Sequence, residues 1–138
     1  MENSRRYPVG IQTFSEIKRG GYVYIDKTGL MWEMTRMKYV FLSRPRRFGK
    51  SLLTTTLDSY FKGQKELFES LKIMKLETEW NSYPVIHLDV SMAKNQRSAA
   101  ALESMLMFIL HPLTQVYGKD DIEDQPGKLL AGLIRRAY

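Results

Sequence analysis

The sequence predicts an α/β fold, with helices layered on a parallel sheet. Three observations lead there. Two short runs, "KYVFLS" (38–43) and "PVIHLDV" (84–90), are strongly apolar, as buried strands are. Segments of helical periodicity lie between and around them. A Gly-Lys-Ser tripeptide, residues 49–51, sits where the first run gives way to a helical pattern. At 138 residues the chain fits a single domain, 1–138, with enough length to bury a core. Hydrophobic residues at 43% and charged residues at 26% are ordinary for a globular protein.

In chain order, "YVYI" (22–25) is a β-favouring run after the Gly20-Gly21 turn. Asp26 or Thr28 then suits the cap of a helix that carries Leu30, Met31, Met34 and Met37 on one stripe. The 38–43 strand follows, and Pro45 makes helix unfavourable in the loop after it. From Lys50 to about Lys62 the pattern turns helical, with Leu53, Leu57, Tyr60 and Phe61 on one face. "QKELFESL" continues as a short helix, and residues 84–90 form the second strand. Leu102, Met105, Leu106, Ile109 and Leu110 mark a helix expected to end near Pro112. "YGKDDIEDQPG" reads as a surface loop. Pro126 suits the first turn of a last helix bearing Leu129, Leu130, Leu133, Ile134 and Ala137.

Composition narrows the function. With no cysteine, neither a disulfide framework nor a thiolate metal site is available, and two histidines are too few for zinc. "MENSRRYPVGIQ" lacks the apolar centre of a signal peptide, and the longest apolar run, "MLMFIL", is too short to span a bilayer. The expected location is the cytoplasm, with no membrane partner. A formal charge of +6 favours anionic partners: nucleotide, nucleic acid or an acidic surface.

The loop "RPRRFGKS" carries the most chemistry. A phosphate cradle needs convergent backbone amides, a helix start, a lysine for the β/γ phosphates and a hydroxyl for Mg²⁺. Gly49 supplies backbone freedom, Lys50 the phosphate ammonium and Ser51 the Mg²⁺ ligand. The amides from Phe48 to Leu52 would wrap the anion, and Arg46 and Arg47 add charge-assisted donors. Counting back from Gly49, Arg44 stands where the pattern G-x-x-x-x-G-K-[ST] has its first glycine. The plainer reading is a basic, solvated turn.

Other residues have structural readings. Asp26, Lys27 and Thr28 suit a helix cap as well as a nucleotide base or sugar contact. Asp89, ending the second strand, reads as a helix cap or surface carboxylate rather than a Mg²⁺ ligand, because Val90 follows it instead of a second acid. His87 is expected to be buried and hydrogen-bonded, and His111 to sit at a helix end. The methionines at 31, 34, 37, 105 and 107 are expected to fill core. Tyr22, Tyr24 and Tyr39 are interspersed with basic residues as on nucleic-acid surfaces, though strands favour tyrosine too.

"FLSRPRRFGKSLL" (41–53) resembles the signature of the predicted AAA-ATPase-like family, a bacterial family often fused to a C-terminal PD-(D/E)XK nuclease-like domain. "YPVGIQTFSEIKRGGYVYIDKTGLMWEM", "LDSYFKGQKELFESLKI" and "WNSYPVIHLDVS" are similar to family segments in order and spacing, so the likeness covers most of residues 7–92. Arg-Pro-Arg-Arg-Phe-Gly-Lys-Ser is that family's usual loop, so Arg44 is no sign of decay. The resemblance implies a P-loop NTPase-type three-layer αβα fold, incomplete here, that binds ATP and Mg²⁺. It also implies an acidic strand ending in Asp-Glu beyond Tyr138. The chain is then expected to bind nucleotide with little hydrolysis and to be marginal in isolation. Two alternatives stand beside this reading: a nucleic-acid-binding module using the RPRR loop with Arg135 and Arg136, and a non-catalytic interaction module.

Overall fold

The computed structural model describes residues 6–91 and 98–138. Residues 1–5, part of the stretch read as lacking a signal centre, lie outside the described residues, as does residue 92 at the end of the family-like stretch. Among the described residues there are five α-helices: α1 (Phe14–Arg19), α2 (Thr28–Thr35), α3 (Lys50–Phe61), α4 (Ala99–Tyr117) and α5 (Pro126–Ala137). Two short 3₁₀ turns, Lys65–Phe68 and Lys72–Lys75, follow α3. Among the described residues there is no β-strand, so the expected parallel sheet and three-layer αβα fold are corrected to a helical architecture.

The physical reason lies in pairing. A strand exists by bonding its backbone to a neighbour, and apolar content alone does not supply one. The 38–43 run is left irregular, with Tyr39 83% and Phe41 93% exposed. The 84–90 run is divided by the boundary between two compact units, Met1–Val85 and Ile86–Tyr138. The 22–25 run is also irregular, although Tyr24 sets its ring edge-on to Phe14 at 5.1 Å.

In the first unit, Phe14, Met31, Leu67, Phe68, Leu71 and Ile73 form the buried core. The inner face of α3 reaches it through Leu53, Leu57 and Tyr60, as the helical pattern predicts, whereas Leu30 and Met37 on the expected α2 stripe are exposed. Polar bonds fix the elements around this core. The Phe14 amide donates to Thr55 Oγ1 at 3.1 Å, joining the start of α1 to α3. The N-cap of α2 is Lys27, with no side-chain cap bond, rather than the expected Asp26 or Thr28. Asp26 accepts from the Thr28 amide at 2.8 Å and from the Lys72 amide at 2.6 Å, so it ties the start of α2 to the second 3₁₀ turn. Thr28 Oγ1 in turn accepts from the Ile73 amide at 3.1 Å. Glu77 gathers donors from Trp32 Nε1, Tyr60 Oη and the Thr78 and Glu79 amides. Burial, followed by that bond to Glu77, pushes the Tyr60 hydroxyl up to about 12.

In the second unit Ser98 caps α4 by accepting from the Ala101 amide at 3.2 Å. The helix does not stop near Pro112 as expected but runs through it to Tyr117. Pro112 lacks the N–H that would bond the Phe108 carbonyl. Both residues are exposed, so water can satisfy that carbonyl. His111 is therefore inside a helix rather than at its end, and exposed. His87, expected to be buried, is also exposed. By length and composition alone α4, 19 residues with a mean hydropathy of 1.3, is long and apolar enough to cross a membrane. Glu103, Ser104, His111 and Thr114 interrupt its apolar residues, so no single run in the sequence is as long as the helix. The buried side chains of α4 are Met105 and Leu110, and Leu110 packs with Leu129 and Leu133 of α5.

An ion pair between the half-buried Arg136 and the buried Glu123 closes this hairpin. Arg136 Nη1 and Nη2 each donate to Glu123 at 2.8 Å, while its Nε and Nη2 reach the Tyr117 and Gly118 carbonyls at 2.9 and 3.0 Å. Arg136 thereby satisfies two carbonyls that the end of α4 leaves open. Its donors pull the Glu123 carboxyl down to about 2, against the upward pull of burial. A carboxylate depressed in the folded state adds stability above its unfolded value and loses it as pH falls. The second unit should thus be pH-insensitive above about 4.5 and weaken as pH falls toward about 2. Acid titration followed by amide exchange in α5 checks this. Uniform protection down to pH 2 would contradict it.

Candidate phosphate-binding loop

Residues 44–49 form an irregular, basic loop that opens directly into α3, and residues 50–52 are the first turn of that helix. Gly49 is the N-cap residue, with φ 76° and ψ 20° in the left-handed region. A Cβ there would meet nothing within 4 Å, so the glycine answers a backbone demand and not a crowded one. Arg47 shares the left-handed region at φ 64°, a conformation an L-residue holds only at a cost. The side chain of Lys50 crosses the loop and donates to the carbonyl of Arg44. One end of the loop is thereby tied to the other, at the residue that replaces the first glycine of the usual pattern.

What the loop leaves open matters more. Among the described residues, no backbone bond is donated by the amides from Arg46 to Leu52. The last three of these are the first amides of α3, which an α-helix always leaves without internal partners. Leu53 is the first to pair, donating to the Gly49 carbonyl at 2.9 Å. Ser51 is exposed at the second position of the helix. Arg46, Arg47 and Phe48 are exposed, and Leu52 leans partly into the core of the first unit. The structure therefore brings Arg46, Arg47, Phe48, Gly49, Lys50, Ser51 and Leu52 into one continuous edge of free donors and cations. The positive end of the α3 dipole points the same way.

Asp26 and Asp89 stand apart from this loop in their bonding. Asp26 is engaged by Thr28 and Lys72. Burial works to raise its carboxyl, but those bonds outweigh it and hold the group below the usual range. Asp89 belongs to the second unit, where Oδ1 accepts from the Ser91 amide at 2.9 Å and the carboxyl is lowered by that bond. Of the pair proposed for a nucleic-acid contact, Arg135 is exposed, whereas Arg136 is consumed by Glu123 and the end of α4. No group of three or more His, Asp or Glu side chains among the described residues is arranged to hold a metal ion.

The described chain is thus a helical protein whose α3 opens on an exposed, basic, amide-rich loop. It belongs to the predicted AAA-ATPase family, whose model matches residues 8–138. It is also 34% identical over 137 residues to a protein of Azotobacter chroococcum mcd 1 described as "Uncharacterized protein in vnfD 5'region". That alignment takes in 97% of this chain and 26% of the relative, so the chain spans about a quarter of the length of the curated relative it matches. No solved structure matches the chain.

Proposed function

We propose that the loop of residues 44–49, with the first turn of α3, binds Mg-ATP by its phosphates, as part of an ATPase. The observation that carries this reading is the run of free amides from Arg46 to Leu52, with Lys50 and Ser51 at the same helix start. Membership of the predicted AAA-ATPase family supports ATP as the anion. Lys50 would leave the Arg44 carbonyl for the β/γ phosphates, exchanging a neutral acceptor for a charged one. The Phe48–Leu52 amides would surround the phosphate, and Arg46 and Arg47 would offset its remaining charge. The donor set fits Mg²⁺ in its usual mode, with one protein hydroxyl, Ser51, and phosphate oxygens and water completing the shell. When bound, the ion neutralises phosphate charge. This chain is proposed to bind nucleotide with little or no hydrolysis.

Titration calorimetry with Mg-ATP tests this, with Lys50→Ala alongside. Lys50 is exposed, so its replacement should leave the melting temperature nearly unchanged. Loss of one charge-assisted hydrogen bond predicts affinity about ten- to a hundredfold weaker. Equal binding by the two folded proteins, or none by the wild type, would contradict the proposal.

A further inference from the structure

Thr55 lies one turn beyond Ser51 on the same face of α3, about 6 Å further along the helix axis. Its hydroxyl ties the chain before α1 to α3. Oγ1 accepts from the Phe14 amide at 3.1 Å and stands 3.2 Å from the Gln12 carbonyl. A hydroxyl has one proton to give. The other acceptor within reach, the Leu52 carbonyl at 3.0 Å, already receives the Thr56 hydroxyl at 2.7 Å, which directs the Thr55 proton to Gln12. Residues 12–14 are thus fixed by one side chain against the helix face that carries Ser51. The segment so held is open. Val9 is 89% exposed, and Gly10 turns the backbone at φ 77° with nothing within 4 Å of where a Cβ would stand. Among the described residues, the amides of Gly10, Gln12 and Thr13 donate no backbone bond, and the carbonyls of Val9, Gly10 and Ile11 accept none. An apolar side chain beside free amides and carbonyls suits a nucleotide base, whose face takes apolar contact while its edge donates and accepts.

We propose that Thr55 is a positioning residue for the nucleotide: it holds the edge of residues 9–13 where the base of a phosphate-bound nucleotide comes to lie. This rests on the phosphate reading of the loop above. A nucleotide whose phosphates meet the first turn of α3 at Ser51 places its base within its own length, and the edge clamped at Thr55 is one helical turn away. The base lies on Val9, and the free groups of the edge bond its rim. Asp26 and Thr28, the sequence's candidates for the base, are spent on each other and on the amides of Lys72 and Ile73.

Calorimetry with Mg-ATP and with Mg-bound inorganic triphosphate separates the base from the phosphates. Wild type is expected to bind Mg-ATP about tenfold more tightly than the inorganic ion, the worth of a hydrogen bond with an apolar contact. Thr55→Val keeps the side-chain shape and removes both bonds. It should bring Mg-ATP down to the inorganic level and leave the inorganic affinity unchanged, and Thr55→Ser should restore the preference. A merely structural role would weaken both ligands alike. Val9→Ser, at an exposed position, should keep the melting temperature and lower the affinity for Mg-ATP alone, roughly threefold. It probes the same edge should Thr55→Val not fold. Equal wild-type affinity for the two ligands, with both lost in Lys50→Ala, would overturn this inference and leave the phosphate loop standing. Equal loss of both ligands in Thr55→Val, or Val9→Ser binding like wild type, would also overturn it. Binding of neither ligand by the wild type would overturn both readings.

Discussion

Phe68→Ala is expected to lower the stability of the first unit by about 3–5 kcal/mol, the range for deleting a fully buried aromatic ring. Phe68 has no exposed surface and stands 4.8 Å from Phe14, 5.2 Å from Trp80 and 6.4 Å from Tyr60, ring centre to ring centre. Those rings come from α1, from α3 and from the segment after the second 3₁₀ turn, so one side chain joins three parts of the chain. Small domains have only about 5–15 kcal/mol to lose, and this loss would consume much of it. Both tryptophans, Trp32 and Trp80, lie in this unit, so urea unfolding followed by tryptophan fluorescence reports it selectively. A change below about 1 kcal/mol would mean that the ring cluster does not hold the unit together.

Gly132→Ala should destabilise the second unit, although helix propensity alone predicts a gain of about 1 kcal/mol. A Cβ on Gly132 would stand 1.5 Å from Glu123 Oε1 and 2.4 Å from its Cδ. Glu123 cannot step aside cheaply, because Arg136 holds both of its oxygens and the Asp120 amide donates to Oε2 at 3.2 Å. Either the carboxylate leaves its partner or α5 lifts from α4. Overpacking of this kind costs about 1–3 kcal/mol, and a broken buried pair adds to it. Faster amide exchange across α5 is the expected readout. A variant more protected than wild type would show that propensity wins and that the contact is soft.

What could be read from the sequence divides by the range of the interactions involved. The helix from Lys50 to about Lys62 and the last helix from Pro126 were legible, because their periodicity and end signals are local. The Gly49-Lys50-Ser51 loop was legible for the same reason: a short motif before a helical pattern. α1 was missed, though Thr13 and Glu16 have capping-box spacing; the helix is only 6 residues long and gives little periodicity to see. Strands were expected at 22–25, 38–43 and 84–90 from apolar content, but pairing depends on partners far away in sequence, and none is formed among the described residues.

The internal bonds were harder still. Glu123 lies in a stretch of acids that looks solvated, and nothing nearby announces that Arg136 will bury it. Asp26 was expected as a cap of α2, but Lys27 holds that position, and the bond of Asp26 from the Lys72 amide spans 46 residues. Among the methionines, Met31 and Met105 entered the core as expected, whereas Met37 is exposed.

The most direct test of the central claim is an amide chemical-shift titration of the ¹⁵N-labelled chain with Mg-ATP. The account predicts that the largest shifts fall on the amides from Arg46 to Leu52, which donate no backbone bond in the free chain. Shifts confined to other residues, or an unshifted loop in a chain that still binds the nucleotide, would contradict it.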